Sequence, residues 1–186
     1  KPFVINIASC NERTRIESIS FFEKAIQLNS TIGGKYCGVH TGFLIDPNPE
    51  ELGRRIVKRS MFPKDKAIRN FLDGILHLAR FAEDYGQTVL IENNVLSREN
   101  LATYGSNPLL GVSPEDLVQL LDELGPEVGL LLDVGHLKVS GQTMGFDQTD
   151  AIKLLNKYVV GYHISENNGE EDEHEAIKED SWFLDK

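Results

Sequence analysis

Four of the five histidines in this 186-residue chain stand with three carboxylates at places suited to binding a metal ion. His40 follows the apolar run from Tyr36, Glu92 the run from Thr88, Asp133 the run from Val128, and His163 the run from Val159. His136 lies three residues beyond Asp133, and Asp172 and His174 sit in the acidic stretch after His163. Imidazole nitrogens mixed with carboxylate oxygens suit Zn, Mn, Co or Fe(II) better than Mg or Ca. Each residue also has a plain structural reading. Glu92 or Asp133 could cap a helix, His40 could be a satisfied half-buried imidazole, and Asp172 and His174 could belong to a solvated loop with Glu170, Glu171 and Glu173. Independent structural causes do not place such groups after successive apolar runs. The set His40, Glu92, Asp133, His136, His163, Asp172 and His174 is therefore read as the ligands of a divalent metal ion. His77, inside a helical pattern, is left out.

The elements that must position these groups are legible as five apolar runs, beginning at Phe3, Tyr36, Thr88, Val128 and Val159. They alternate little, as strands covered on both faces of a parallel sheet do. Helical patterns separate them. One runs from about Glu12 to Leu28 with Ile16, Ile19, Phe22 and Ile26 on one side, and another from Ala67 to Tyr85. A third has Ser113 as N-cap, Pro114 at its first position and Gly125 at its end, and a fourth spans Thr149 to Lys157. Alternating strands and helices predict an α/β fold. Chemistry-bearing groups at the ends of several different strands favour a (β/α)8 TIM barrel over an open sheet, and no glycine-rich nucleotide motif follows any strand. Eight strands and about 250 residues make such a barrel. With five strands visible, residues 1–186 read as a single TIM-barrel domain lacking its terminal strands.

Nineteen basic against 29 acidic residues give a net charge of -10. That weakens any reading that depends on gripping a phosphate backbone. The basic concentration Arg54, Arg55, Lys58 and Arg59 reads as a helix face after Pro49. Cys10 and Cys37 form no CxxC pair, no apolar run approaches the roughly 18 residues of a membrane span, and the first ten residues lack a signal-peptide layout. A cytoplasmic protein is expected, without a membrane partner and with oligomerisation left open.

The order PFVINIAS, GVHTG, LIENN, LLLDVGHLKVSG, YHISEN and DEHEAI resembles the xylose-isomerase-like TIM barrels. That group contains sugar isomerases and epimerases and the endonuclease-IV-type apurinic endonucleases. Asp133 with His136, and Asp172 with His174, are similar to zinc-binding pairs of the endonuclease branch. Glu92 resembles the bridging glutamate of both branches, His163 a shared strand-end histidine, and His40 the histidine of an HPG motif in which Thr41 replaces proline. The family's HxPY histidine has no counterpart before Phe3, nor its last glutamate ligand after Trp182. The resemblance implies first a sugar or sugar-phosphate isomerase or epimerase, in which a divalent metal and an enediolate-type proton transfer do the chemistry. Glu92 and His136 would be its catalytic residues, and Asn93, Asn94 and Lys35 its contacts to a small sugar. A multi-metal phosphodiesterase acting at abasic sites in DNA is the second reading, and a non-catalytic metabolite-binding barrel the third.

Overall fold

Four of the five apolar runs become strands of one parallel sheet: β1 (Tyr36–His40), β2 (Thr88–Glu92), β3 (Val128–Asp133) and β4 (Val159–His163). Their order is β1-β2-β3-β4. The structure, a computed structural model, describes residues 2–51 and 55–184. β2 and β3 are buried almost throughout, which accounts for their lack of alternation. Around the sheet lie α1 (Glu12–Thr31), α2 (Lys64–Glu83), α3 (Arg98–Tyr104), α4 (Pro114–Leu124), α5 (Val134–Met144) and α6 (Gln148–Leu155). The result is an open arc of a TIM barrel, incomplete among the described residues. β4 pairs only with β3 there, and its Val160 and Tyr162 are about half exposed.

The core follows the sequence periods. α2 buries Ala67, Phe71, Ile75, Leu78 and Ala82 on one stripe, which packs with Ile91, Leu130, Leu132 and Leu121. Each large apolar side chain buried in this way contributes about 1.5–3 kcal/mol. α4 has the predicted ends. Ser113 Oγ accepts from the Asp116 N–H at 3.2 Å, and Gly125 closes the helix at φ 80°. No described helix is long and apolar enough to cross a membrane.

Three expectations are corrected. The run from Phe3 forms no strand. Asn6 N–H goes to Ser18 Oγ on α1 at 2.9 Å, and the Asn6 side chain holds the carbonyls of Phe43 and Ile45. A backbone donor bound to a helix side chain is not offered to a neighbouring strand, although Val4, Ile7 and Ala8 still enter the core. Ile16 is 56% exposed rather than packed, because α1 turns only Ser18 and Ile26 fully inward. The predicted basic helix face does not form either. Pro49–Glu51 is a single 3-10 turn and residues 55–63 are irregular, Arg54 lying outside the described residues. A helix would carry Arg59 about 12 Å along its axis from Glu51. Instead the Arg59 guanidinium grips the Glu51 carboxylate through two bonds of 2.8 and 2.9 Å.

Candidate metal centre

The predicted ligands meet at the C-terminal ends of the strands because of register. His40 on β1 stands beside Glu92 on β2, and Asp133 on β3 beside His163 on β4. Ligand atoms of His40, Glu92 and His136 lie within 4.8 Å of one another, as do those of Glu92, Asp133 and His163. Glu92 belongs to both groups. Its Oε1 is 2.8 Å from His163 Nδ1, and its Oε2 is 3.7 Å from His40 Nε2. Asp133 Oδ2 is 3.8 Å from both His163 Nδ1 and His136 Nε2. Glu92, Asp133 and His136 are buried, whereas His40 and His163 are about half exposed and face the cleft.

Local structure fixes how each group points. Asp133 is the N-cap of α5, and its Oδ1 accepts the His136 N–H at 2.8 Å, which leaves Oδ2 for the cleft. The Asn93 side chain brackets the Asp133 backbone, donating to its carbonyl at 3.0 Å and accepting its N–H at 2.8 Å. A carbonyl can only accept, so the 2.8 Å contact between His136 Nδ1 and Asn93 O puts a proton on Nδ1. Nε2 is then the ring atom aimed at the site, the arrangement expected of a metal-binding histidine. It meets Asp172 Oδ2 at 3.1 Å, and His174 Nε2 reaches the same oxygen at 3.1 Å.

The electrostatics follow from this crowding. Burial alone would push the His136 imidazole down, but its hydrogen bond to Asp172 and the charges of Asp133 and Asp172 lift it to about 9. Burial pushes the Asp172 carboxyl up, and His136 more than reverses that, leaving it below the ordinary carboxylate value. His40 sits below the usual imidazole value, since desolvation outweighs the attraction of Glu92. The cluster therefore holds carboxylate charge close to imidazolium, and a cation would exchange with a proton there. Asp172 Oδ1 is buried without a hydrogen-bond partner. A donor set of imidazole and carboxylate with no thiolate, and one buried lone pair left over, fits a divalent ion of the Zn, Mn, Co or Fe kind.

The remaining candidates separate. Asn93 is fully buried and committed to the Asp133 backbone. Asn94 borders the cleft, but its amide is held by Thr41 Oγ1, Gly42 O and Leu110 O. Lys35 is exposed at the opposite end of β1 from His40, roughly 16 Å away along the strand, and does not border the cleft. His77 is on α2, 2.7 Å from Glu23. The cleft has a volume of about 870 Å³, and Phe43, Ile56, Val95 and Leu109 contribute apolar wall. Glu171 and Glu173, read from sequence as solvated loop, border it, as does Glu51, whose part no spacing signalled.

A parallel β/α arc with a metal-type cluster at its carboxyl strand ends defines a TIM-barrel protein built around one cleft. The chain belongs to the xylose isomerase-like TIM barrel family, whose model matches residues 1–185. It is 25% identical over 176 residues to an uncharacterized protein of Methanocaldococcus jannaschii, covering 94% of this chain and 52% of that one. A second protein of the same organism is 23% identical over 93% of this chain and 56% of its own length. The chain thus spans about half the length of the curated relatives it matches. Among solved structures, a D-tagatose 3-epimerase-like protein is similar with a TM-score of 0.68 and 22% identity, over 93% of this chain and 57% of its own. A 3-keto-D-glucoside 4-epimerase from E. coli has a TM-score of 0.66 and 15% identity, over 89% and 57%. These two likenesses concern the fold.

Proposed function

We propose that the protein is a divalent-metal-dependent sugar isomerase or epimerase acting through proton transfer beside a carbonyl. The observation that carries this reading is the convergence of Glu92, Asp133, His136 and His163 at the ends of β2, β3 and β4. The sugar epimerases among proteins of similar fold support it. Glu92, Asp133, His163 and His136 would hold the ion, with His40 beside them. When bound, such an ion polarises a carbonyl and the adjacent hydroxyl.

The residues of this arc have separate parts. Glu92 would take the proton from one face of the carbon beside the carbonyl, its Oε1 lying by His163 Nδ1 and its Oε2 by His40 Nε2. Returning it there isomerises the sugar, whereas inversion needs a second proton donor on the opposite face. His136 presents Nε2 to the cleft because Asn93 O occupies Nδ1. The apolar wall from Phe43, Val95 and Leu109 keeps bulk water from one side of the reacting carbon. A free ketose incubated with the full-length protein in deuterium oxide should gain deuterium at the carbon beside the carbonyl. Chelator should stop the exchange, and Mn, Co, Zn or Fe should restore it. Exchange that resists chelator would refute the mechanism.

A second reading, a phosphodiesterase acting on abasic DNA, is favoured by one observation. Glu92 is shared by two ligand groups, and Asp172 and His174 adjoin His136, as a site for several ions requires. Metal content of His174→Ala separates the two. An unchanged ion count, with weak duplex binding at physiological salt, is expected for the isomerase and agrees with the net charge of -10. Loss of an ion with strongly salt-dependent DNA binding would put the nuclease first.

A further inference from the structure

Asp172 and His174 enter the cleft from neither a strand nor a helix, but from the irregular segment that follows β4. Polar loops of this kind move on nanosecond to microsecond timescales unless something ties them down. Here the loop is closed at its base, where Glu166 N–H donates to Glu175 O at 2.9 Å and Glu175 N–H to Glu166 O at 2.7 Å. The closed loop is then fastened to one helix. Lys138 Nζ on α5 donates to Glu166 Oε1 at 2.6 Å and to Asn167 O at 2.5 Å, and Asn167 Nδ2 donates to Gly135 O at 2.9 Å. The same helix carries His136 in its first turn and Asp133 as its cap.

We propose that Lys138 is a positioning residue: through Glu166 and Asn167 it seats the 166–175 loop on α5, so that Asp172 meets His136 and His174 faces the cleft. Three further observations agree. The Lys138 and Glu166 side chains are only 21% and 8% exposed, so this is no solvated surface pair of small consequence. The loop lies so close to α5 that a Cβ on Gly135 would come within 2.5 Å of Ser165 Oγ and 3.2 Å of Asn167 Nδ2. His174 is the one non-glycine residue with positive φ, 51°, among the described residues, and such backbone persists where its surroundings over-determine it. A lysine suits the task, because its compact ammonium can serve a carboxylate and a carbonyl at once.

What the seated loop does for catalysis rests on the metal reading above; how it is held does not, and the test keeps the two apart. Amide hydrogen exchange and the imidazole NMR signals of His136 and His174 are recorded on metal-free wild type, Lys138→Met, Lys138→Arg and Glu166→Gln. In Lys138→Met, exchange at residues 168–175 should rise about tenfold and both imidazole signals should move, while the core of α2 stays protected. Lys138→Arg should restore most of both. Glu166→Gln, which keeps the shape and removes the charge, should reproduce the effect if the lysine variant does not fold. Unchanged exchange in the folded variants would overturn the proposal, and so would faster exchange with unmoved imidazole signals, which makes Lys138 merely structural. The visible spectrum of the cobalt-loaded protein supplies the separate arm. A protein that takes up no cobalt overturns the metal reading and leaves the exchange result to decide the role of Lys138.

Discussion

Replacing Glu51 by Gln tests how the wall of the cleft is held. The Glu51 carboxylate takes both arms of the Arg59 guanidinium and the N–H groups of Asn48 and Val57, at 2.7 and 3.2 Å. The hydrogen bonds from Arg59, only partly opposed by desolvation, lower its pKa from 4.5 to about 2. At about 1.4 kcal/mol per pH unit, that depression corresponds to about 3 kcal/mol. Arg59 is 27% exposed, so water competes for it and about 2 kcal/mol is the figure expected in solution. The sign follows from the direction of the change. A carboxyl with a depressed native pKa stabilises the fold fully above its unfolded value of 4.5, and that stability drains away as pH falls toward about 2. Urea unfolding at pH 7, 5, 4 and 3 measures it. Glu51→Gln should be about 2 kcal/mol less stable at pH 7, and the gap should narrow steadily below pH 4.5. Curves for the two proteins that run parallel from pH 7 to pH 3 would refute the reasoning, since the deficit would then owe nothing to the carboxylate's charge.

Three other outcomes follow from the packing and the site. Asn93→Ala takes the partner of the buried Asp133 N–H and one of the donors to its C=O, which as the N-cap carbonyl still serves α5, so chemical denaturation should show a loss of about 1–3 kcal/mol. The same variant should bind cobalt more weakly by calorimetry, because the cap residue that carries Oδ2 is no longer bracketed. Phe71→Ala removes a fully buried ring from the centre of α2 and should cost about 3–5 kcal/mol in the same assay, with ligand geometry unchanged in the surviving folded fraction. Glu92→Gln removes the carboxylate charge common to both ligand groups, and elemental analysis should find the protein without its ion while far-UV circular dichroism stays as in wild type.

What the sequence made legible has a physical reason in each case. Ser113, Pro114 and Gly125 define α4 because capping chemistry is local, and α2 shows its stripe because one face alone is buried. α5 is invisible to periodicity. Val134, Gly135, His136, Leu137, Val139, Ser140 and Gly141 are all buried, so no polar face contrasts with an apolar one. The spacing of Asp133 and His136 was nonetheless readable, since a helix cap three residues before a histidine is itself a short-range pattern. Lys138, Glu166 and Asn167 were not. Their pairing spans 28 and 29 residues, and nothing in one chain's spacing announces contacts that only the crossover from α5 to the loop after β4 creates. Lys35 lies away from the cleft for a simpler reason. A short strand carries its first and last residues to opposite ends of the sheet, however near they stand in sequence.

The subtlest of these devices is a change of phase. Leu130 faces Val159, but Leu131 faces Gly161, so Val160 is an extra residue in β4. Uninterrupted pairing would bring Tyr162 beside Asp133, because each residue of slip exchanges the two faces of a strand. The bulge moves the register on by one and sets His163 there instead, with its Nδ1 turned to Glu92 and Asp133. Its cause is visible on the neighbouring strand. A Cβ on Gly129 would meet Val160 Cγ2 at 2.4 Å and Leu90 Cδ2 at 2.8 Å, so the space that admits the bulged valine exists because position 129 has no side chain. A glycine inside an otherwise leucine-rich strand weakens that strand taken alone. Here it lets the fourth strand shift by one residue, and that shift puts an imidazole, rather than a tyrosine, among the acids at the mouth of the barrel.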